Sequence, residues 1–137
     1  LYGRTIPILG DLMADVIYQS LSNSNRYTFY NQYGTPVVDG NALGMWTAGY
    51  HTILRVNNIL SSTIDGTATA RQYRGEAHAI RALMYFELVR FFAKPFTDNP
   101  SDVGVPIITK FDIGVKPKRN TIAEVYALIL DDLSKAY

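Results

Sequence analysis

Apolar residues recur with helical spacing in three parts of this chain. Over residues 41–60, Trp46, Tyr50, Ile53, Asn57 and Leu60 follow one another at steps of four, three, four and three, which is one face of a helix. A loop of small residues, 61–69, ends it. Over residues 74–92, "RGEAHAIRALMYFELVRFF", a turn of ~100° per residue gathers Arg74, His78 and Arg81 on one side and Glu76, Glu87 and Arg90 near the opposite pole. Two apolar flanks run between these seams. One carries Ala77, Ile80, Met84, Leu88 and Phe91, the other Ala79, Ala82, Leu83, Phe86 and Val89. A helix with two such flanks packs between layers, and its charges are expected to pair locally. Glu87 meets Arg90 at i, i+3, while Glu76 and Arg81 find partners on loops or neighbouring helices. The third helix opens at "NTIAEVYALILDDLSKAY", where Thr121 and Glu124 form a capping box. Its apolar stripe is Ile122, Val125, Ile129, Leu133 and Ala136, and nothing in the sequence follows to cover it.

Elsewhere the periodicity is weaker. "TIPILGDLMADVIY" supports a short helix or a turn, and residues 26–39, "RYTFYNQYGTPVVD", read as an aromatic-rich loop. Residues 94–120 are long for a plain connection. Within them "VGVPIIT" should lie extended against the helices, because Pro106 keeps Val105 out of the helical region.

The spacing of Trp46, Gly49 and Tyr50 on one helix and of Ala82 and Phe86 on the next is that of tetratricopeptide pairs, in which small residues let helices approach. The fold class expected is all-α, with tetratricopeptide-like antiparallel helices and long loops, of the alpha-alpha superhelix type. One complete pair and half of the next are present. Because a repeat cannot bury its face alone, residues 1–137 are expected to be a single helical domain that is an incomplete N-proximal part of a longer protein.

Composition narrows the function classes. The chain has 137 residues, 47% of them hydrophobic, and a formal charge of +1 with no basic stripe, which gives no electrostatic support for nucleic-acid or anionic-membrane binding. It has no cysteine, so disulfides, thiolate metal sites and a cysteine nucleophile are excluded within it. No apolar run approaches the ~20 residues that span a bilayer.

The motifs then point to a family. Gly75-Glu76-Ala77, Arg81-Ala82, Tyr85-Phe86, Leu88-Val89-Arg90 and Phe91-Phe92 resemble the helix signature of SusD-like (RagB/SusD) proteins. Trp46, Tyr50, Ile53 and Asn57 resemble that family's preceding helix. Gly104-Val105-Pro106, Arg119, Thr121, Glu124-Val125-Tyr126, Ile129 and Asp132-Leu133 resemble its next capped one. Where the family has a Gly pair before the Val-Pro, this chain reads Ala93-Lys94-Pro95-Phe96, so the turn after the second helix should be built differently. The resemblance implies a nutrient-binding protein on the outer surface of a Gram-negative bacterium, held by a lipid anchor that this chain lacks. It implies binding of a glycan, or sometimes a peptide, without cleavage, and delivery to a TonB-dependent, SusC-like transporter. It implies no cofactor.

The residues themselves give little chemistry beside this. Glu76 and Glu87, eleven positions apart on one helix, stand ~16 Å apart along its axis, too far for the ~5–9.5 Å of a glycosidase pair. His51 and His78 show no metal spacing, and no nucleophile elbow or phosphate loop occurs. "DNPSD", residues 98–102, reads as a turn and not as a calcium loop. Trp46, Tyr50, Tyr85 and Phe86 read as core, and Asn57 as an amide that ties a loop's backbone to its helix. The ligand-binding candidates are Arg26, Tyr27, Tyr30, Asn31 and Tyr33. Sugar rings offer a C–H face to aromatic rings and hydroxyls to amides and guanidinium groups, and this stretch holds both. The alternative is that these tyrosines fold down to seal the helices. SusD-like proteins take glycan contacts from variable loops, so no family site residue carries over. A second functional reading is a tetratricopeptide-like module that binds a protein partner through the third helix's bare stripe.

Overall fold

In a computed structural model, residues 2–22, 24–63, 66–110, 112, 114 and 116–137 are described. Of the loops read above, Ile64, Asp65, Phe111, Ile113 and Val115 lie outside them. The helices run α1 (Thr5–Met13), α2 (Thr28–Asn31), α3 (Gly40–Leu60), α4 (Ala68–Phe92) and α5 (Ile122–Ala136). Among the described residues there is no strand, only an isolated antiparallel bridge between Val103 and Thr121. The all-α class is therefore observed. Two compact units divide the chain, Leu1–Ala48 and Gly49–Tyr137.

In the second unit, α4 starts six residues before the expected boundary. Thr67 accepts the backbone N–H of Ala70 and caps it inside the stretch read as loop. The antiparallel partner α5 opens on the expected capping box, with Thr121 Oγ1 accepting from Glu124 N and Glu124 Oε2 accepting from Thr121 N. Replacing Thr121 by Ala should cost about 1 kcal/mol, read as a lower midpoint in a urea titration with an unchanged slope.

Close approaches explain two of the glycines. A Cβ on Gly49 would stand 3.1 Å from a Leu88 methyl, so α3 and α4 meet there backbone to side chain. A Cβ on Gly104 would stand 3.1 Å from Asn120 O, Ile122 N and Thr121 C at once. Only glycine lets that strand-like segment donate Gly104 N–H to Asn120 O at 2.7 Å and receive Asn120 N–H at Val105 O.

The extended segment 103–109 is strapped to the helices. Tyr50 Oη donates to Pro106 O at 2.7 Å, and Asn57 Nδ2 donates to Ile108 O at 2.8 Å, the loop-tying role expected of that buried amide. Tyr85 Oη accepts Ile108 N–H at 2.6 Å and donates to Ile108 O at 3.0 Å. Two arginines finish helix ends. Arg74 donates to Leu60 O and Ser62 O after α3, and Arg119 donates to Phe92 O at the end of α4. In the turn without the Gly pair, Ala93 is extended and the Phe96 ring lies edge-on to Tyr126 at 5.2 Å.

Four expectations need correction. Phe86 is not core but 39% exposed, and Leu83 on the same flank is open as well, because α5 covers only part of that flank; Ile80 on the other flank is also exposed. The stripe of α5 is not bare, since Ile122, Val125 and Ile129 are buried against α4. Leu133 is half exposed, and the inward position on that turn belongs to Asp132. Glu76 finds its partner on its own helix, accepting from Gln72 Nε2. Glu87 and Arg90 pair as expected, and the Arg90 guanidinium also lies over the Phe91 ring at 4.8 Å.

Candidate functional site

The candidate stretch lies in the first unit, and it is not a plain loop. Thr28–Asn31 makes one turn of helix, entered through Tyr27 in the left-handed region, φ 69°, and left through Tyr33 at φ 53°. Left-handed backbone costs a β-carbon residue roughly 1–2 kcal/mol. Side-chain bonds hold the turn in place. Thr28 Oγ1 donates to Asn25 O, Gln19 Nε2 donates to Arg26 O at 2.8 Å, and Asn31 Oδ1 accepts Gln19 N–H at 3.1 Å.

The turn divides the tyrosines. Tyr30 is buried, its ring edge-on to Tyr27 at 6.3 Å, and its hydroxyl donates to Asp39. Burial and that carboxylate together push the Tyr30 hydroxyl well above the usual phenol range. Asp39 also accepts Ala42 N–H at 2.7 Å and so caps α3. Tyr27 is half-buried, with Thr5 Oγ1 3.3 Å from its hydroxyl. Tyr33 points outward, 65% exposed, and donates to Asp15, whose hydrogen bond raises the phenol's pKa. Phe29 and Arg26 are exposed, and Asn31 is half-buried.

The stretch thus combines a sealing half, Tyr30 and Tyr27, with an outward half, Tyr33, Phe29 and Arg26. The outward rings and the Asp15 carboxylate offer what a polyol needs, an apolar face beside hydrogen-bonding groups. Sequence reasoning missed Asp15 and Asp39. They lie eighteen and nine positions from their tyrosines, and no helical or strand period links such pairs.

A second cluster lies in the unit Gly49–Tyr137. Arg81 Nε and Nη2 form a fork on the two carboxylate oxygens of Asp132, each at 2.7 Å. His78 Nδ1 is 2.7 Å from Asp132 Oδ1, and Arg81 Nη1 donates to Asn57 Oδ1 at 2.7 Å. Burial alone would raise the Asp132 carboxyl, but the Arg81 and His78 hydrogen bonds and charges outweigh it and hold it below the usual carboxylate range. The same pairing raises Arg81. Asp132 is wholly buried and both of its oxygens are engaged, so the histidine-carboxylate contact joins helices instead of facing a substrate. The "DNPSD" stretch forms a turn, with Asp102 N–H donating to Asn99 O and the Asp102 carboxylate held by Lys94 and Asn99.

Comparison with known proteins places this geometry. The sequence profile of a SusD-like family, described as starch-binding and associating with the outer membrane, matches residues 7–137. SusD-like protein P38 of Formosa agariphila is 31% identical over 96 residues, which is 66% of this chain and 17% of that protein. A SusD superfamily protein of Bacteroides thetaiotaomicron superposes with a TM-score of 0.74 at 30% identity, over 86% of this chain and 28% of its own. A putative sugar binding protein of Bacteroides vulgatus gives a TM-score of 0.74 at 32% identity over the same shares. The chain therefore spans less than a third of the length of these relatives.

Proposed function

The chain belongs to the SusD-like family, and from that premise we propose that it is part of a non-catalytic protein that binds a glycan, or another nutrient, at the outer surface of a bacterial outer membrane. The bound ligand is delivered to a TonB-dependent, SusC-like transporter, and a lipid anchor lying outside this chain holds the protein at the surface. The carrying observation is the family match, which runs from residue 7 to residue 137 and so takes in both compact units.

Within that function the ligand-binding element is the turn that carries Arg26, Tyr27, Tyr30, Asn31 and Tyr33. What supports this is the exposed ring of Tyr33, hydrogen-bonded to the Asp15 carboxylate, on a stretch that also exposes Phe29. Tyr33 and Arg26 would touch the sugar, while Tyr30, Tyr27 and Asn31 hold the turn that presents them.

A glycan screen of the full-length protein by calorimetry tests both levels. In a glycan that binds, Tyr33→Ala should weaken affinity about tenfold, ~1.4 kcal/mol, without changing the melting temperature. Tyr30→Ala should lower the melting temperature first, because it empties a buried site. Unaltered affinity in Tyr33→Ala and Arg26→Ala would remove the site and leave the family function standing. Absence of any glycan or peptide ligand would remove the function itself.

A further inference from the structure

Resting on the glycan-binding reading above, we infer that the cleft where α4 ends holds an acidic sugar, one that bears a carboxylate or a sulfate. This cleft lies in the unit Gly49–Tyr137 and has a volume of about 540 Å³, within the roughly 300–1,000 Å³ of small-molecule sites. Phe91, Phe92 and Val103 supply its apolar wall, and Lys94, Asp102 and Arg119 supply its charges. The two phenylalanines are half-buried and Val103 is 57% exposed, so apolar surface stays open beside the cations.

Charge selects the ligand class. Asp102 is already neutralised, its Oδ2 accepting from Lys94 Nζ at 3.0 Å and its Oδ1 from Asn99 Nδ2 at 2.8 Å. Arg119 has no carboxylate. Its Nε donates to Gly104 O at 2.6 Å and its Nη2 to Phe92 O at 2.8 Å, and these carbonyl oxygens fix the guanidinium without cancelling its charge. Nη1 makes no hydrogen bond among the described residues. Lys94 Nζ likewise keeps protons beyond the one it gives to Asp102. The cleft is therefore net positive with donors unspent, which favours an anionic oxygen over a neutral hydroxyl. The C–H face of the same sugar ring has Phe92 and Val103 to pack on. Lys94 stands in the Ala93-Lys94-Pro95-Phe96 turn that replaces the Gly pair, so this cation belongs to the chain's own departure from the family pattern.

Calorimetry of the full-length protein with tetragalacturonate, a sulfated carrageenan tetrasaccharide and neutral cellotetraose tests this. At least one acidic probe should bind, with an affinity that falls as salt rises, and the pair distinguishes a carboxylate site from a sulfate site. Lys94→Gln removes a positive charge and Val103→Asp adds a negative one, both at exposed positions. Each should weaken that binding about fivefold at an unchanged melting temperature, while Lys94→Arg keeps it. Failure of both acidic probes to bind, salt-independent binding, or binding unaltered in Lys94→Gln and Val103→Asp would overturn the inference. Loss of the acidic probe only in Tyr33→Ala would do so too, by placing it at the turn. Cellotetraose bound without either acidic probe would remove the acidic site and leave glycan binding standing.

Discussion

Replacing Asp132 by Ala should destabilise the protein by about 3–5 kcal/mol, the cost of removing one partner from a buried ion pair. The size follows from what is left behind. Arg81 is buried, and two of its three nitrogens would lose a charged acceptor, keeping only the Asn57 amide oxygen. His78 would lose the same carboxylate. Changing Arg81 and Asp132 together to Met and Leu removes the orphaned charge, and should restore most of the loss. Urea denaturation of the three proteins checks this. A double variant as unstable as Asp132→Ala would show that the pair matters for more than its own neutralisation.

The same pair sets a pH dependence. Asp132 has its pKa lowered in the fold, so the native state binds its proton less readily than the unfolded chain does. Its contribution is then fully present above the ordinary aspartate value, about 3.9, and is lost as the pH falls through the depressed folded value. Stability measured from pH 6 to pH 2 should fall more steeply in the natural protein than in Asp132→Asn. Parallel curves would place the acid sensitivity in other carboxylates.

Removing the hydroxyl of Tyr85 should cost about 1–3 kcal/mol, and removing the whole ring about 3–5 kcal/mol. Tyr85 is fully buried, and burial pushes its hydroxyl up to about 12, so it remains a neutral donor across the working range. In Tyr85→Phe the Ile108 N–H loses its partner inside the protein, while the Ile108 carbonyl keeps the Asn57 amide. Tyr85→Ala adds a cavity. Hydrogen exchange separates the two effects, because Tyr85→Phe should speed exchange at Ile108 far more than at amides in the middle of α4. Uniform acceleration would mean that the strap and the helix open as one unit.

Much of the helical scaffold could be read from local pattern. Thr121 and Glu124 cap α5 as their spacing requires, and Asn57 was legible as a loop tie because an amide on an apolar stripe must be satisfied. The spacing of Ile122, Val125 and Ile129 also pointed to Asp132, three residues on, as an inward position. Its charge hides that signal, and the apolar pattern alone selects Leu133 instead. Polarity is not a sign of exposure where an arginine fork and a histidine let a carboxylate be buried.

Less of the first unit was legible. α2 is a single helical turn between left-handed tyrosines, and a turn that short has no period to detect. The identities of Tyr30 and Tyr33 were in the sequence, but their opposite fates were not. Asp39 draws one inward and Asp15 holds the other at the surface, both through contacts distant along the chain.

Periodicity and capping chemistry act within a few residues, so the sequence alone carried the three long helices, their class and the motifs of the family. Which flank of α4 is covered, which acid is buried, and which tyrosine faces outward depend on residues brought together from far apart. Only the folded chain chooses among those partners, because each choice trades desolvation of a polar group against a bond that exists solely in the tertiary structure.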